Sequence, residues 1–288
     1  MTFSAEKLTS WPFEEVTQTY TEKDSIIYAL GIGVGHDPLD EAQLDYVYEE
    51  ADFAAFPSMA VVLAGPGFWS RDPDTGIEWE KLLHGEQGIV LHRPLPPSAT
   101  VTATTRVTQV LDKGAGKAAL IYTERDLVDQ ATGETLATLT STVFARGNGG
   151  FGGASGPQEP PHAIPDRAPD AVCDLPTNAS AALLYRLSGD PNPLHVDPKV
   201  AAGAGFKAPI LHGLCTLGIA AHAVLKTFAA YDATRFKSLK LRFSSPVYPG
   251  ETIRTQMWKD GAKISFRAYV VERDVMVLNN GCVEITES

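Results

Sequence analysis

The sequence predicts an α+β protein built from two similar halves, each an antiparallel sheet curled around one buried helix. Three observations predict it. A glycine- and proline-rich stretch, "RGNGGFGGASGPQEPPHAIP", runs from Arg146 to Pro165 and divides the chain. The flanking halves repeat one another. Each half orders its elements as helix first and strands after, without the strand–helix alternation of a doubly wound sheet.

The elements follow in order. "DSIIYALGIG" (Asp24 to Gly33) matches "AALLYRLSGD" (Ala181 to Asp190) in its spacing of apolar residues, Tyr and Gly. Both predict a short helix. A helix-like apolar run follows each: "FPSMAVVLAG" near Phe56 and the longer "HGLCTLGIAAHAVLKTF" from His212. "PLPPSATVTATTRV" from Pro94 then aligns with "PVYPGETIRTQMW" from Pro246. Pro94 meets Pro246, Pro97 meets Pro249, Thr100 meets Thr252 and Val101 meets Ile253. Each reads as a proline turn entering a strand of period two. Two further strand-like runs close each half, "GKAALIYTERDLVD" and "ETLATLTSTVFAR" in the first, "KISFRAYVVERD" and "VMVLNNGCVEI" in the second. The glycine-rich stretch has no apolar period and reads as a linker. The expected organisation is a first unit over 1–147, a linker over 148–165 and a second unit over 166–288.

Composition narrows the function. With 44% apolar and 20% charged residues the chain resembles an ordinary soluble globular protein. No apolar run approaches the ~20 residues that span a bilayer. The first residues, "MTFSAEKLTSWPFEE", do not resemble a secretory signal and the last three are not a Ser-Lys-Leu address, so the cytoplasm is expected. Cys173, Cys215 and Cys282 form no CxxC pair, which removes the usual zinc and redox motifs. A net charge of −11 argues against nucleic acid as a partner. "GIGVG" at Gly31 follows a helix and breaks the dinucleotide-binding spacing, and "GAGKAA" at Gly114 reads as a hairpin turn. Cys215, with apolar neighbours, reads as a core residue.

One stretch carries chemistry. "YRLSGDPNPLHVDP" places Asp190, Asn192 and His195 at spacings of two and three, on backbone stiffened by Pro191 and Pro193. Singly, each residue suits an Asx turn or a helix cap. Together they suit acid–base work: an imidazole and a carboxylate can orient and polarise one water. Asn192 either holds that water or fixes the loop. Downstream, "PILHGLCTLG" opens an apolar helix at His212-Gly213. Its first N–H groups lack helical partners, and Gly213 lets an oxyanion approach them. His212 reads as a cap or a core histidine, with a part in substrate binding as the functional alternative.

These residues resemble a known family. "YRLSGDPNPLHVDP" with "GFKAPILHGLCTLG" resembles the hydratase 2 motif of the MaoC-like (R)-specific enoyl-CoA hydratases, and "LHGEQGIVLHRPLP" resembles the matching stretch in the first half of their two-repeat members. The resemblance implies a double hot dog, two antiparallel sheets each wrapped around a central helix. It implies a hydro-lyase that adds water to a trans-2-enoyl-CoA and yields the (R)-3-hydroxyacyl-CoA, with no metal or redox cofactor, coenzyme A being part of the substrate. Asp190 and His195 match the catalytic pair, Asn192 its companion and Gly213 the oxyanion glycine. The alternatives are a related dehydratase on another CoA thioester and an acyl-CoA-binding module without turnover.

The first half departs from the motif: it has "GIGVGHDP", with His36 and Asp37 in another order. Only the second half is therefore expected to be catalytic, with the first shaping the acyl pocket through residues such as Phe53, Phe56 and Met59. Lys240 and Arg242 are candidates by position for the coenzyme A phosphates, with Arg93 behind them. A homodimer is implied by family analogy alone.

Overall fold

In the computed structural model, which describes residues 2–287, ten strands form a single antiparallel sheet. The strands are β1 (Val16–Tyr20), β2 (Leu82–Leu91), β3 (Ala99–Asp112), β4 (Ala119–Asp129), β5 (Thr135–Ala145), β6 (Ala171–Pro176), β7 (Phe236–Phe243), β8 (Thr252–Asp260), β9 (Lys263–Val270) and β10 (Val275–Ile285). The helices are α1 (Ala5–Thr9), α2 (Glu22–Gly31), α3 (Ala181–Tyr185), α4 (Pro198–Gly203) and α5 (Gly213–Phe228).

The strand order is β1-β3-β4-β5-β2-β7-β10-β9-β8-β6. Reading outward from the centre, each half contributes its second, fifth, fourth, third and first strand. The repeat in the sequence is thus a repeat in space, and the architecture is the expected double hot dog. The two sheets are joined rather than separate: β2 pairs with β7, Glu86 opposite Arg242 and Gly88 opposite Lys240. Pairing the two inner edges removes two rows of open backbone donors and acceptors. β1 and β6 are short edge strands that the sequence reading passed over.

α5 is the central helix of the second half. Its residues from Cys215 to Leu225 are all buried, because it runs beneath a sheet whose inward side chains surround it. Leu217, Phe266, Tyr28 and Phe56 belong to one core that both halves share. The first half differs. "FPSMAVVLAG" makes only a short 3₁₀ turn over Pro57–Val62. Gly65, Pro66 and Gly67 follow at once, and Ala64 already has φ of 45°. A helix cannot run through that sequence, since proline lacks the N–H and clashes with the preceding turn.

The segment after β5 has no regular element until β6 and lies across the sheet. Asp112 accepts N–H bonds from Gly114, Gly150 and Gly152 at 2.7–2.8 Å, which ties the segment's start to the β3–β4 hairpin. Its far end is held by His162, whose ring meets Ser265 Oγ at 2.7 Å and whose carbonyl accepts from Asn280. No helix among the described residues is long and apolar enough to cross a membrane.

Candidate active site

The loop after α3 begins at Gly189, where φ is 123°, a conformation that side chains rarely adopt. The chain then turns twice within a few residues, and each turn has its own lock. Asp190 Oδ1 accepts the Asn192 N–H at 3.1 Å, and Asn192 Oδ1 accepts the Leu194 N–H at 3.1 Å. Asn192 thereby caps the 3₁₀ turn Pro193–His195, with Pro193 in the first position, where no N–H is needed. Of its two expected roles, the loop-fixing one is the role its Oδ1 occupies.

His195 is buried, and its Nδ1 donates to the carbonyl of Ile210 at 2.8 Å. That bond assigns the proton to Nδ1 and leaves the Nε2 lone pair free. Nε2 faces Asp190 Oδ2 at 4.0 Å, too far for a direct hydrogen bond and near enough for one water to touch both. Burial lowers the pKa of His195 from its ordinary value; the hydrogen bond to Ile210 and the charge of Asp190 oppose the shift without cancelling it. The neutral imidazole is favoured, as a base requires.

His212 lies directly beneath. It is 1% exposed and donates from Nε2 to the main-chain carbonyl of Asp190 at 3.1 Å. Its ring stacks on that of His195, with centroids 3.7 Å apart and planes 26° apart. It sits at the cap position of α5 but makes no side-chain cap bond. Burial and then the neighbouring His195 hold its pKa well below the usual imidazole value, so it stays neutral. Asp190, His195 and His212 offer ligand atoms within 4.8 Å of one another. Stacked rings, however, direct their in-plane lone pairs side by side rather than towards one point, which suits a shared cation poorly.

Gly213 opens α5. The first intrahelical bonds are made by Cys215 and Thr216, both to the His212 carbonyl, so the amides of Gly213 and Leu214 come before the ladder and face the positive end of the helix dipole. A Cβ on Gly213 would lie 3.2 Å from the Phe243 ring, tighter than ordinary contact. Gly213 therefore lays its bare backbone against the Phe243 ring, next in the chain to the His212 that stacks on His195.

Phe243 leads to a cavity. Its ring lies 4.7 Å from that of His84, and His84 and Leu214 line a space of about 200 Å³ beneath the first half's sheet. Val61, Ile121, Leu139 and Val143 supply its apolar walls. This is the space beneath β4 and β5 beside the shortened 3₁₀ turn.

The structure does not bring every expected residue here. Phe56 and Met59 are fully enclosed in the shared core, Phe56 against Tyr46 and His222 and Met59 against Ser25, and neither they nor Phe53 line the cavity. Lys240 and Arg242 lie on the opposite face of the sheet. Their neighbours Leu239 and Leu241 point into the core, and strand alternation sends the two cations outward. There Lys240 pairs with Glu159 and Arg242 with Glu86. Arg93 pairs with Glu134. His36 contacts Asn178 at 3.0 Å. Cys215 is buried and donates to the Gly31 carbonyl, a core residue as expected. The sequence reading missed Ile210, His84 and Leu214, whose parts depend on contacts distant in the chain.

The chain resembles known proteins along nearly its whole length. Residues 161–280 match the model of the MaoC like domain, and residues 18–147 match that of the MFE-2 hydratase 2 N-terminal domain. The peroxisomal multifunctional enzyme type 2 of Mus musculus is 42% identical over 277 residues, covering 93% of this chain but 37% of that longer protein. The peroxisomal enoyl-CoA hydratase 2 of Arabidopsis thaliana is 40% identical, covering 96% of this chain and 94% of its own. The crystal structure of a MaoC-like dehydratase from Phytophthora Capsici superposes with a TM-score of 0.88 at 38% identity, over 99% of this chain and 98% of that one. A chain that shares both halves, their order and nearly its whole length with an enoyl-CoA hydratase 2 belongs to the two-repeat hydratase 2 family of MaoC-like proteins.

Proposed function

We propose that this chain adds water across the double bond of a trans-2-enoyl-CoA, giving the (R)-3-hydroxyacyl-CoA. The observation that carries the reading is the His195–Asp190 pair. One nitrogen of His195 is committed to Ile210, and the other opens onto Asp190 Oδ2 across a gap that one water fits. The reaction needs three things: a base for water, a proton for the α-carbon and a holder for charge on the thioester oxygen. Water held between Asp190 and His195 loses a proton to His195 Nε2 as its oxygen bonds the β-carbon. The thioester becomes an enolate, and its oxygen lies against the amides of Gly213 and Leu214. The proton then passes to the α-carbon. Atoms balance with no change of oxidation state, so the chemistry asks for no redox cofactor, and coenzyme A arrives with the substrate. His212 is a positioning residue: it carries the His195 ring and holds the Asp190 carbonyl.

The acyl chain runs past Phe243 into the cavity of the first half. With Lys240 and Arg242 on the far face of the sheet, Arg186, Lys199 and Lys207 are the cations nearest in sequence to the catalytic loop and the start of α5, and we assign the coenzyme A phosphates to that group.

The test is loss of the enoyl-thioester absorbance with purified protein and trans-2-enoyl-CoAs of increasing length, with chiral analysis of the product. The expected result is an (R)-product from the wild type and a rate lower by about 10³-fold or more in Asp190→Asn. No loss of absorbance at any chain length overturns the reading.

A further inference from the structure

The cavity of the first half is not lined as a plain hydrocarbon sleeve would be. Its floor is built by inward-facing residues of β4 and β5, and among Ile121, Leu139 and Val143 stand Thr123, Ser141 and Arg125. Arg125 occupies an inward position of its strand, two residues past Thr123 and two before the fully buried Leu127. Its guanidinium is poorly satisfied by the protein. Nη2 donates to the Val61 carbonyl at 2.7 Å. Nε is buried with no acceptor. Nη1 makes no hydrogen bond and packs beside Gly65. Among the described residues no carboxylate pairs with it; its chain neighbour Glu124, which also borders the cavity, gives its carboxylate to Arg106. Burial pushes its pKa down to about 10, which still leaves it cationic at neutral pH.

A cation with spare donors and no counter-charge is costly away from bulk water, and a ligand that brings an acceptor removes the cost. We infer that Arg125 is a specificity residue for an acyl chain whose far end is anionic, so that the preferred substrates are enoyl-CoAs bearing an ω-carboxylate. The inference rests on the hydratase reading and names the substrate class of that same site. The carboxylate accepts from Nη1 in one charge-assisted bond, Thr123 adds a hydroxyl to the cavity wall two residues before Arg125, Ser141, opposite Thr123, holds its hydroxyl 3.2 Å from His84, and the methylenes between lie against Ile121, Leu139 and Val143. The Val61 bond serves folding, since it ties the 3₁₀ turn to the sheet, and it is the competing explanation for the residue.

The experiment compares kcat/KM for matched ladders of trans-2-enoyl-CoAs and their ω-carboxylated counterparts, in wild type, Arg125→Met and Arg125→Lys. The readout is the ratio of the two values at each chain length. Both come from one enzyme preparation, so any unfolded fraction cancels. In the wild type the ratio favours the ω-carboxylated chain at the lengths that reach Arg125. In Arg125→Met it falls by about 10- to 100-fold, the worth of one hydrogen bond to a charged group, and Arg125→Lys restores part of it. Turnover of plain chains only, or an unchanged ratio in Arg125→Met, overturns the inference and leaves the hydratase standing. Absence of turnover with both ladders overturns the hydratase reading itself, and this inference with it.

Discussion

The two halves share one strand order and differ in two places. Beneath the second half's sheet runs α5, buried along most of its length; the matching run of the first half makes only the 3₁₀ turn Pro57–Val62, and Leu8 of α1 and Ile77 form a second core with Val107 and Ile121 of its sheet. The second difference is the loop after the paired tyrosines. Tyr28 and Tyr185, equivalent in the repeat, meet with ring centroids 5.8 Å apart. After Tyr185 the chain is stiffened by two prolines and carries Asp190 and His195. After Tyr28 it turns through Gly33 and Gly35, both in the left-handed region, and sends His36 towards Asn178. The differences fit together. A sheet wrapped on a full helix has no room for a long ligand, and a sheet that has lost its helix has no helix N-terminus to hold an oxyanion. On the proposed function, one copy has the helix and the chemistry, and the other has the short turn and the space.

The comparison breaks most sharply at the histidines. His195→Gln should lower kcat/KM by about 10³-fold, within the range for removing a positioned acid–base group, whereas His36→Gln should change it less than about twofold. Steady-state rates on one enoyl-CoA check both; equal losses would mean that both loops are catalytic. The pH profile of the wild type sharpens the point. Burial disfavours the His195 imidazolium, so the base form persists below the ordinary histidine value of about 6.5. On the acid side kcat/KM should stay level through that value and fall only at lower pH.

The cavity gives the next effect. Leu139→Phe places a ring where the acyl chain is proposed to lie. The expected outcome is a drop of about 10- to 100-fold in kcat/KM for long chains and little change for crotonyl-CoA, since a chain that cannot enter forfeits roughly 1–3 kcal/mol of pocket contact. A uniform loss at all lengths would place the acyl chain elsewhere.

Much of this was legible before folding, and the reasons are local. The helices α2 and α5 and the strands β3, β4, β5, β8, β9 and β10 carry their periods in contiguous residues, and the proline turns at Pro94 and Pro246 mark the repeat. Asp190, Asn192 and His195 sit within one loop, so their spacing alone points to chemistry. Phe56 and Met59 show why the pocket was not legible. An apolar run announces burial, but core and cavity wall are both apolar, and an empty space has no residue of its own. Lys240 and Arg242 are a different case. The alternation Leu239, Lys240, Leu241, Arg242 already contains the answer, since it puts both cations opposite the core. Arg125 was legible in the same way, as a charge in the inward register between Ile121 and Leu127.

The smallest effect tests how closely the helix-bearing half presses on the other. Gly218 lies in mid-α5, where a Cβ would stand 2.4 Å from Ile32 Cγ2 and 3.0 Å from the Tyr28 hydroxyl, both from the first half. Ile32 and Tyr28 are fully buried and have no free space to move into. Gly203 ends α4, is exposed, and would meet nothing with an added Cβ. Alanine in a helix gains up to about 1 kcal/mol over glycine, and overpacking a filled core costs about 1–3 kcal/mol. The two substitutions should therefore differ in sign. Gly203→Ala should raise the thermal midpoint by a degree or more, and Gly218→Ala should lower it by a few degrees, on a scale of about 2–4 °C per kcal/mol for a large domain. If Gly218→Ala were also stabilising, α5 would have slack against α2. The halves would then be joined mainly through the β2–β7 strand pair rather than through a core that each completes for the other.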